Sequence, residues 1–145
     1  MALFPSSVPA DGVSPVNFLA TQMQSGVGFA ATPSAIANAA GVTYTAAQVL
    51  SRFIIRSGAV AVSDTLPTAA LLLAAMANPI VGSGFVFEIV NNNTGLLTLI
   101  AGAGNTLAGT TTIATVSNRR YLVTCTNATV GTEAFTYQGL STSGV

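Results

Sequence analysis

Eight side chains carry all the formal charge of this 145-residue chain, four Arg and four acids, and there is no Lys, His or Trp. The acids are Asp11, Asp64, Glu88 and Glu133. Two carboxylates facing one sugar are the minimum equipment of a glycosidase, one as acid and one as nucleophile or base. Glu88 and Glu133 both fall on predicted strands and form the pair to test for that chemistry. The competing reading makes each a salt-bridge partner or a solvent-facing side chain. The cations come as Arg52/Arg56 and Arg119/Arg120. Guanidinium forks suit anchorage to a negatively charged partner surface. Equally, such charges keep strand ends soluble, or pair with Asp64, Glu88 and Glu133. Cys125 sits in an alternating strand and reads as a small buried hydrophobe.

The missing residue types exclude much else. Without His there is no Ser–His–Asp or Cys–His pair and no His-ligated zinc or haem. Without Lys there is no Walker-A loop and no Schiff-base chemistry. No Asp/Asn cluster has the spacing of a calcium loop. In the run Gly102 to Gly109 (GAGNTLAG) the third glycine comes five residues after the second, where a dinucleotide fingerprint needs three. That run is expected to be a hairpin turn. Asn92-Asn93-Thr94 and Asn127-Ala128-Thr129 match the glycosylation pattern, as triplets in Asn/Thr-rich turns often do by chance. Thr106 and Thr110 to Thr112 have no fixed repeat, so β-propensity accounts for them. The sequence thus predicts no catalytic, cofactor or metal site, and no enzyme.

Zero net charge removes the basic footprint of a nucleic-acid binder. The longest strongly apolar run, Ala69 to Ala77, is nine residues, against about twenty for a spanning helix. No membrane partner is expected. The start, MALFPSSVPADG, lacks a basic region followed by an apolar core, so no secretory signal is expected. A single cysteine agrees with synthesis in a reducing cytosol. Half of the residues are hydrophobic and only 6% are charged, against a usual share of roughly a quarter. A surface so poor in charge is better suited to partner subunits than to open solvent.

The elements that must position these groups divide the chain at residue 47. Met1 to Ala47 is punctuated by Pro5, Pro9, Pro15 and Pro33 and holds no lasting apolar period. It is expected to be an extended arm with helical turns at Val16 to Met23 and Ala35 to Ala40. Phe4, Phe18, Leu19, Phe29 and Tyr44 give it more apolar anchors than a free tail carries. Residues 48–145 are expected to form a β body. Strands are predicted at Val49–Arg56, Ala59–Ser63, Gly84–Asn91, Leu96–Ala101, Thr106–Ala108, Thr110–Val116, Arg120–Thr126 and Thr132–Leu140. One helix, from about Leu66 to Ala77, is capped by Asp64 or Thr65 and is apolar on nearly every face, so its burial is expected. Phe85, Phe87 and Ile89 share one strand face, and Tyr121, Val123 and Cys125 share another. Short strands roughly ten residues apart, with Gly/Asn turns between them, predict an all-β antiparallel sandwich or barrel.

The stretch from Arg52 to Leu140 resembles a module of tailed-bacteriophage virion proteins. The resemblance lies in the order FIIRSG, then VSDTLPTAALLLAAMANPIVGSGFVFEIVNNN, then LTLIAGAGNTLAGTTTIATVSNRRYLVTCTN. It covers about two-thirds of the chain, and its motifs are turn-and-strand patterns rather than catalytic signatures. Modules of this kind resemble those of capsid decoration (cement) proteins and other small head or fibre proteins. The resemblance implies a jelly-roll-like β-sandwich that trimerises. It also implies a structural virion protein that binds the exterior of a phage capsid and bridges subunits of the major capsid protein. Phe4, Phe18, Phe29, Arg52, Arg56, Arg119 and Arg120 are then the candidate partner contacts. An arm of about 45 residues, if extended, reaches on the order of 150 Å across a lattice. A second reading is a head- or tail-fibre module that binds a host receptor or glycan, with Tyr44, Tyr121 and Tyr137 as candidate platforms. A third is a small carbohydrate-active enzyme using Glu88 and Glu133.

Overall fold

The computed structural model describes residues 32–38, 40–58 and 60–140. Phe4, Phe18, Phe29 and the helical piece predicted at residues 16–23 lie outside them. Nine strands and two helices are described: β1 (Ser34–Ala37), α1 (Ala46–Leu50), β2 (Phe53–Ser57), β3 (Val62–Thr65), α2 (Ala69–Ala75), β4 (Gly84–Asn91), β5 (Leu97–Ile100), β6 (Asn105–Ala108), β7 (Thr112–Ile113), β8 (Ser117–Asn127) and β9 (Ala134–Gly139). The fold is mostly β, in two sheets. One has the order β1-β2-β4-β8-β9-β6 and the other the order β3-β5-β7.

From β2 to β8 the chain changes sheet at every strand. This alternation overturns the expectation of antiparallel pairing throughout. Some strands of one sheet that are separated by a single pass through the other sheet pair in parallel. Such pairs are β2 with β4, Ile54 beside Ile89, and β3 with β5, Val62 beside Leu97. β1 also lies parallel to β2, and β6 parallel to β9. Only β4–β8, β8–β9 and β5–β7 are antiparallel. Gly/Asn turn chemistry fixes where the chain reverses, but not which sheet it enters next.

The expected faces are in place. Phe85, Phe87 and Ile89 of β4 are buried, as are Tyr121, Val123 and Cys125 of β8. Phe87 stacks on Tyr121 with ring centroids 5.5 Å apart and meets Tyr137 edge-on at 6.0 Å, both favourable aromatic geometries. Leu97, Leu99 and Ile113 supply the facing layer from the smaller sheet.

Residues 34–47, predicted as arm, take part in this body. Ser34–Ala37 is an edge strand rather than a helical turn, and Tyr44 is buried. Ala46–Leu50 is a helix where a strand from Val49 was expected. Its capping box explains the difference: Thr45 Oγ1 accepts from Gln48 N at 3.2 Å, and Gln48 Oε1 accepts from Thr45 N at 2.8 Å. The second helix spans only Ala69–Ala75, with Thr68 as its cap in place of Asp64 or Thr65. Seven residues bury one face, Ala69 and Leu72, and leave Leu71 60% exposed, so this helix is not buried all round. β8 opens at Ser117, where a turn was expected, because Asn91 pairs with it and extends the β4 ladder by one step.

The displaced cap residue, Asp64, has a different task. On β3 it lies on the same face as Val62 and points between the sheets. There Arg56 Nε of β2 donates to its Oδ2 at 2.7 Å, and both side chains are fully buried. The rest of the guanidinium donates to the carbonyls of Asn38 (2.7 Å), Ala40 (2.6 Å), Ser57 (3.2 Å) and Ile36 (3.4 Å). Asp64 also accepts from Tyr44 Oη at 2.6 Å and Val42 N at 3.0 Å. Arg56 is therefore an internal clamp, which corrects its reading as a partner contact.

Removing one member of a buried pair leaves the other charge uncompensated. Arg56→Met is expected to lower unfolding stability by about 3–5 kcal/mol. The double change Arg56→Met/Asp64→Leu should recover part of that loss. Urea midpoints of the single and double variants check both statements.

Candidate functional site

The surface groups fall at three places. The first is the outer face of the six-stranded sheet. Along β4 and β8 the pairs Val86/Leu122 and Glu88/Arg120 lie side by side. Arg120 Nε donates to Glu88 Oε2 at 2.9 Å, and Asn118 Nδ2 donates to Glu88 Oε1. Burial pushes the Glu88 carboxyl upward, but the hydrogen bonds from Asn118 and Arg120 outweigh it and hold the group below its ordinary value. Val86 and Leu122 are both exposed beside this pair. Gln138 and Thr136 of β9, with Ala35 and Ala37 of β1, continue the face without charge. Arg120, a predicted partner contact, is thus an exposed side chain already paired within the sheet.

The second place is an open groove of about 620 Å³ at the other end of the β8–β9 ladder. Thr68, Ala69 and Ala70 of the capped helix start line one side, with Ala103 and Gly104; Gly131 to Ala134 line the other. Residues 102–104, expected as a hairpin turn, are instead the crossover from β5 in one sheet to β6 in the other. The crossover lies tight against the helix. Ala69 N donates to Ala103 O at 2.8 Å, and Asn105 Nδ2 donates to Pro67 O at 2.6 Å. Gly104 has φ +79°, and a Cβ there would come within 2.7 Å of Ala69 Cβ and 2.6 Å of Glu133 O. Glu133 is the one ionisable lining residue, and its Oε1 accepts from Gly131 N at 3.0 Å.

The third place is the opposite end of β8. Arg119 is half-buried on the inner face, level with Ile89. Its Nε is enclosed and has no hydrogen-bond partner. Val116, just before the strand, is 84% exposed. Arg52 is exposed, with φ +66°, at the turn from α1 into β2.

These placements decide several expectations. Glu88 and Glu133 are not neighbours. Glu88 faces Arg120, whereas Glu133 precedes Ala134, which pairs with Asn127. The seven-residue offset along β8 amounts to about 23 Å, beyond the roughly 10 Å that a pair of glycosidase carboxylates can span. The tyrosines offer no sugar platform, since Tyr44, Tyr121 and Tyr137 are all at most 1% exposed. Burial pushes the Tyr121 hydroxyl up to about 12, and those of Tyr44 and Tyr137 higher still. Cys125 is a buried free thiol, as expected. No group of three His, Cys, Asp or Glu converges as a metal site among the described residues. No described helix is long and apolar enough to cross a membrane.

Sequence reading missed Asp64 and Tyr44 as a buried pair and Asn91 as a buried tie. Asn91 Nδ2 donates to Ile113 O (2.9 Å), Ala114 O (3.0 Å) and Gly95 O (3.1 Å), fastening the end of β4 to the smaller sheet. The alternation Val62-Ser63-Asp64 held the signal for Asp64, because it sets the carboxylate on the apolar face.

Two measurements check this geometry. Glu88 gives stability that is present above the ordinary carboxylate value and lost as pH falls through its depressed folded value. Glu88→Gln should therefore cost up to about 1 kcal/mol at neutral pH, and the gap to wild type should close below roughly pH 4. Gly104→Ala should destabilise by about 1–3 kcal/mol through overpacking, as thermal melts would read.

No protein-family model, no curated protein and no solved structure matches this chain.

Proposed function

We propose that the chain is a structural virion protein of the capsid-decoration kind, a homotrimer that sits on the exterior of a phage capsid and bridges subunits of the major capsid protein. It has no catalytic role in this reading, and its place is the virion surface after synthesis in the host cytoplasm. The observation that carries the proposal is the outer face of the six-stranded sheet. Its strand residues include a single ion pair that cancels itself, Glu88–Arg120, beside the exposed Val86 and Leu122. An uncharged face of this kind favours association in a monomer and is quiet only when something covers it. The two-sheet body braced by Arg56–Asp64 supplies the stiffness that a protein bridging shell subunits needs.

The resemblance of residues 52–140 to phage virion modules supports the same reading. The jelly-roll-like description belongs with it, as a description of two facing sheets closed around one core. The arm of this proposal is the Pro-punctuated segment that contains Phe4, Phe18 and Phe29. Of the alternatives, glycan binding loses its tyrosine platforms to the core, and a carbohydrate-active enzyme loses its paired carboxylates to distance.

Co-sedimentation with undecorated phage capsids tests the proposal. The full chain should pellet with shells at a saturating stoichiometry and raise their resistance to heat. Val86→Asp/Leu122→Asp should reduce pelleting at least about tenfold, the effect of burying an unpaired charge at an interface. Protein that stays in the supernatant but adheres to host cells would overturn the capsid reading in favour of receptor binding.

A further inference from the structure

Glu133 and Arg119 lie at opposite ends of one strand ladder. Arg56 is paired with Asp64, and Arg120 with Glu88. Glu133 rims the groove beside the β9 start, where its carboxylate accepts from the Gly131 amide. Arg119 stands at the start of β8, without a hydrogen bond or ion pair among the described residues, and with its Nε enclosed and unsatisfied. Eight residues separate Arg119 from Asn127, the partner of Ala134, so about 25 Å divides the two charges within one chain. They cannot meet inside a subunit.

We infer that Glu133 and its groove receive the Arg119 end of a second copy of this chain, so that each interface is head-to-tail and each groove is completed by its neighbour's guanidinium. The inference rests on the self-association in the proposed function and assigns its contact. Three features argue for this occupant. Glu133 and Arg119 are complementary in charge, and a guanidinium fork matches a carboxylate bidentately. The groove lining is otherwise small and neutral: Thr68, Ala69, Ala70, Gly104 and Gly131 leave room for a side chain to enter. Each end also carries an exposed aliphatic residue next to its charge, Val116 near Arg119 and Val130 near Glu133, at 84% and 87% exposure. A small polar ligand would find only one ionisable side chain in this groove. A head-to-tail contact closes into a ring when its rotation permits, as a trimer requires, and otherwise propagates as a filament.

Charge reversal of the full chain tests the inference, with mass read by light scattering over a concentration series. Glu133→Arg and Arg119→Glu should each weaken self-association at least about tenfold, and the double reversal should restore it to near wild type. Circular dichroism and the milder Glu133→Gln and Arg119→Gln variants separate loss of contact from loss of fold. Association of wild type should also weaken as NaCl rises from low to high concentration. Single reversals that fold but keep the wild-type mass would overturn the inference while leaving an oligomeric decoration protein in place. So would loss of association in Asp11→Asn with Glu133→Gln silent, since Arg119 would then answer to the N-terminal segment. A wild type that is monomeric at every concentration yet binds shells would overturn both this contact and the trimer, but not capsid binding. Wild type that neither associates nor binds shells would remove the whole reading.

Discussion

Arg56 and Asp64 lie in strands of different sheets, and the organisation of the body depends on their contact. A guanidinium taken out of water costs several kcal/mol and is tolerable only when its donors are satisfied. Here it faces a carboxylate and four backbone carbonyls, from Ile36, Asn38, Ala40 and Ser57. Ile36 lies in β1, Asn38 and Ala40 follow it, and Ser57 ends β2, so one side chain joins the two sheets and also holds the chain that leaves β1. Asp64 closes the arrangement by accepting from Tyr44, whose hydroxyl is held far above its ordinary value by burial and by that carboxylate. Apolar residues at these positions would pack well but would not choose one path for residues 36–44. The ion pair contributes specificity more than net energy.

The same economy of charge shapes the exterior. Four acids and four Arg allow at most four pairs, and two of these are formed within the described residues. Strand surfaces therefore rely on Thr, Ser, Asn and Gln for hydration, and several large aliphatic side chains remain in contact with water. Zero net charge provides no long-range repulsion between copies. In the proposed self-association this composition counts for more than any single patch.

Side-chain alternation was the most legible part of the fold. Phe85-Phe87-Ile89 and Tyr121-Val123-Cys125 could be assigned to the core from their period of two alone, because a strand with one buried face has no other way to arrange them. The capping box Thr45-Ala-Ala-Gln48 is equally readable in the sequence, although the β-branched run behind it points to a strand. Sheet topology was not legible. The Gly102–Asn105 crossover and a hairpin share turn residues, and only the helix packed against Gly104 distinguishes them. For the candidate site, sequence named Glu88, Glu133, Arg119 and Arg120 but could not assign partners. Register is a tertiary property, and it joined Glu88 to Arg120 while separating Glu133 from both.

The alternation of the chain between sheets bears on how the body comes into being. A hairpin can form as soon as its two strands exist, but an arch that passes to the other sheet has no ladder partner until a later strand returns. β3 waits for β5, and β6 for β9 near the end of the body. Most stabilising contacts thus join residues far apart in sequence, a topology that folds slowly because loop closure precedes its reward. During synthesis the apolar β4 and α2 segments would leave the ribosome well before their covering strands. The order in which strands find partners is then as much a constraint on the sequence as the finished packing.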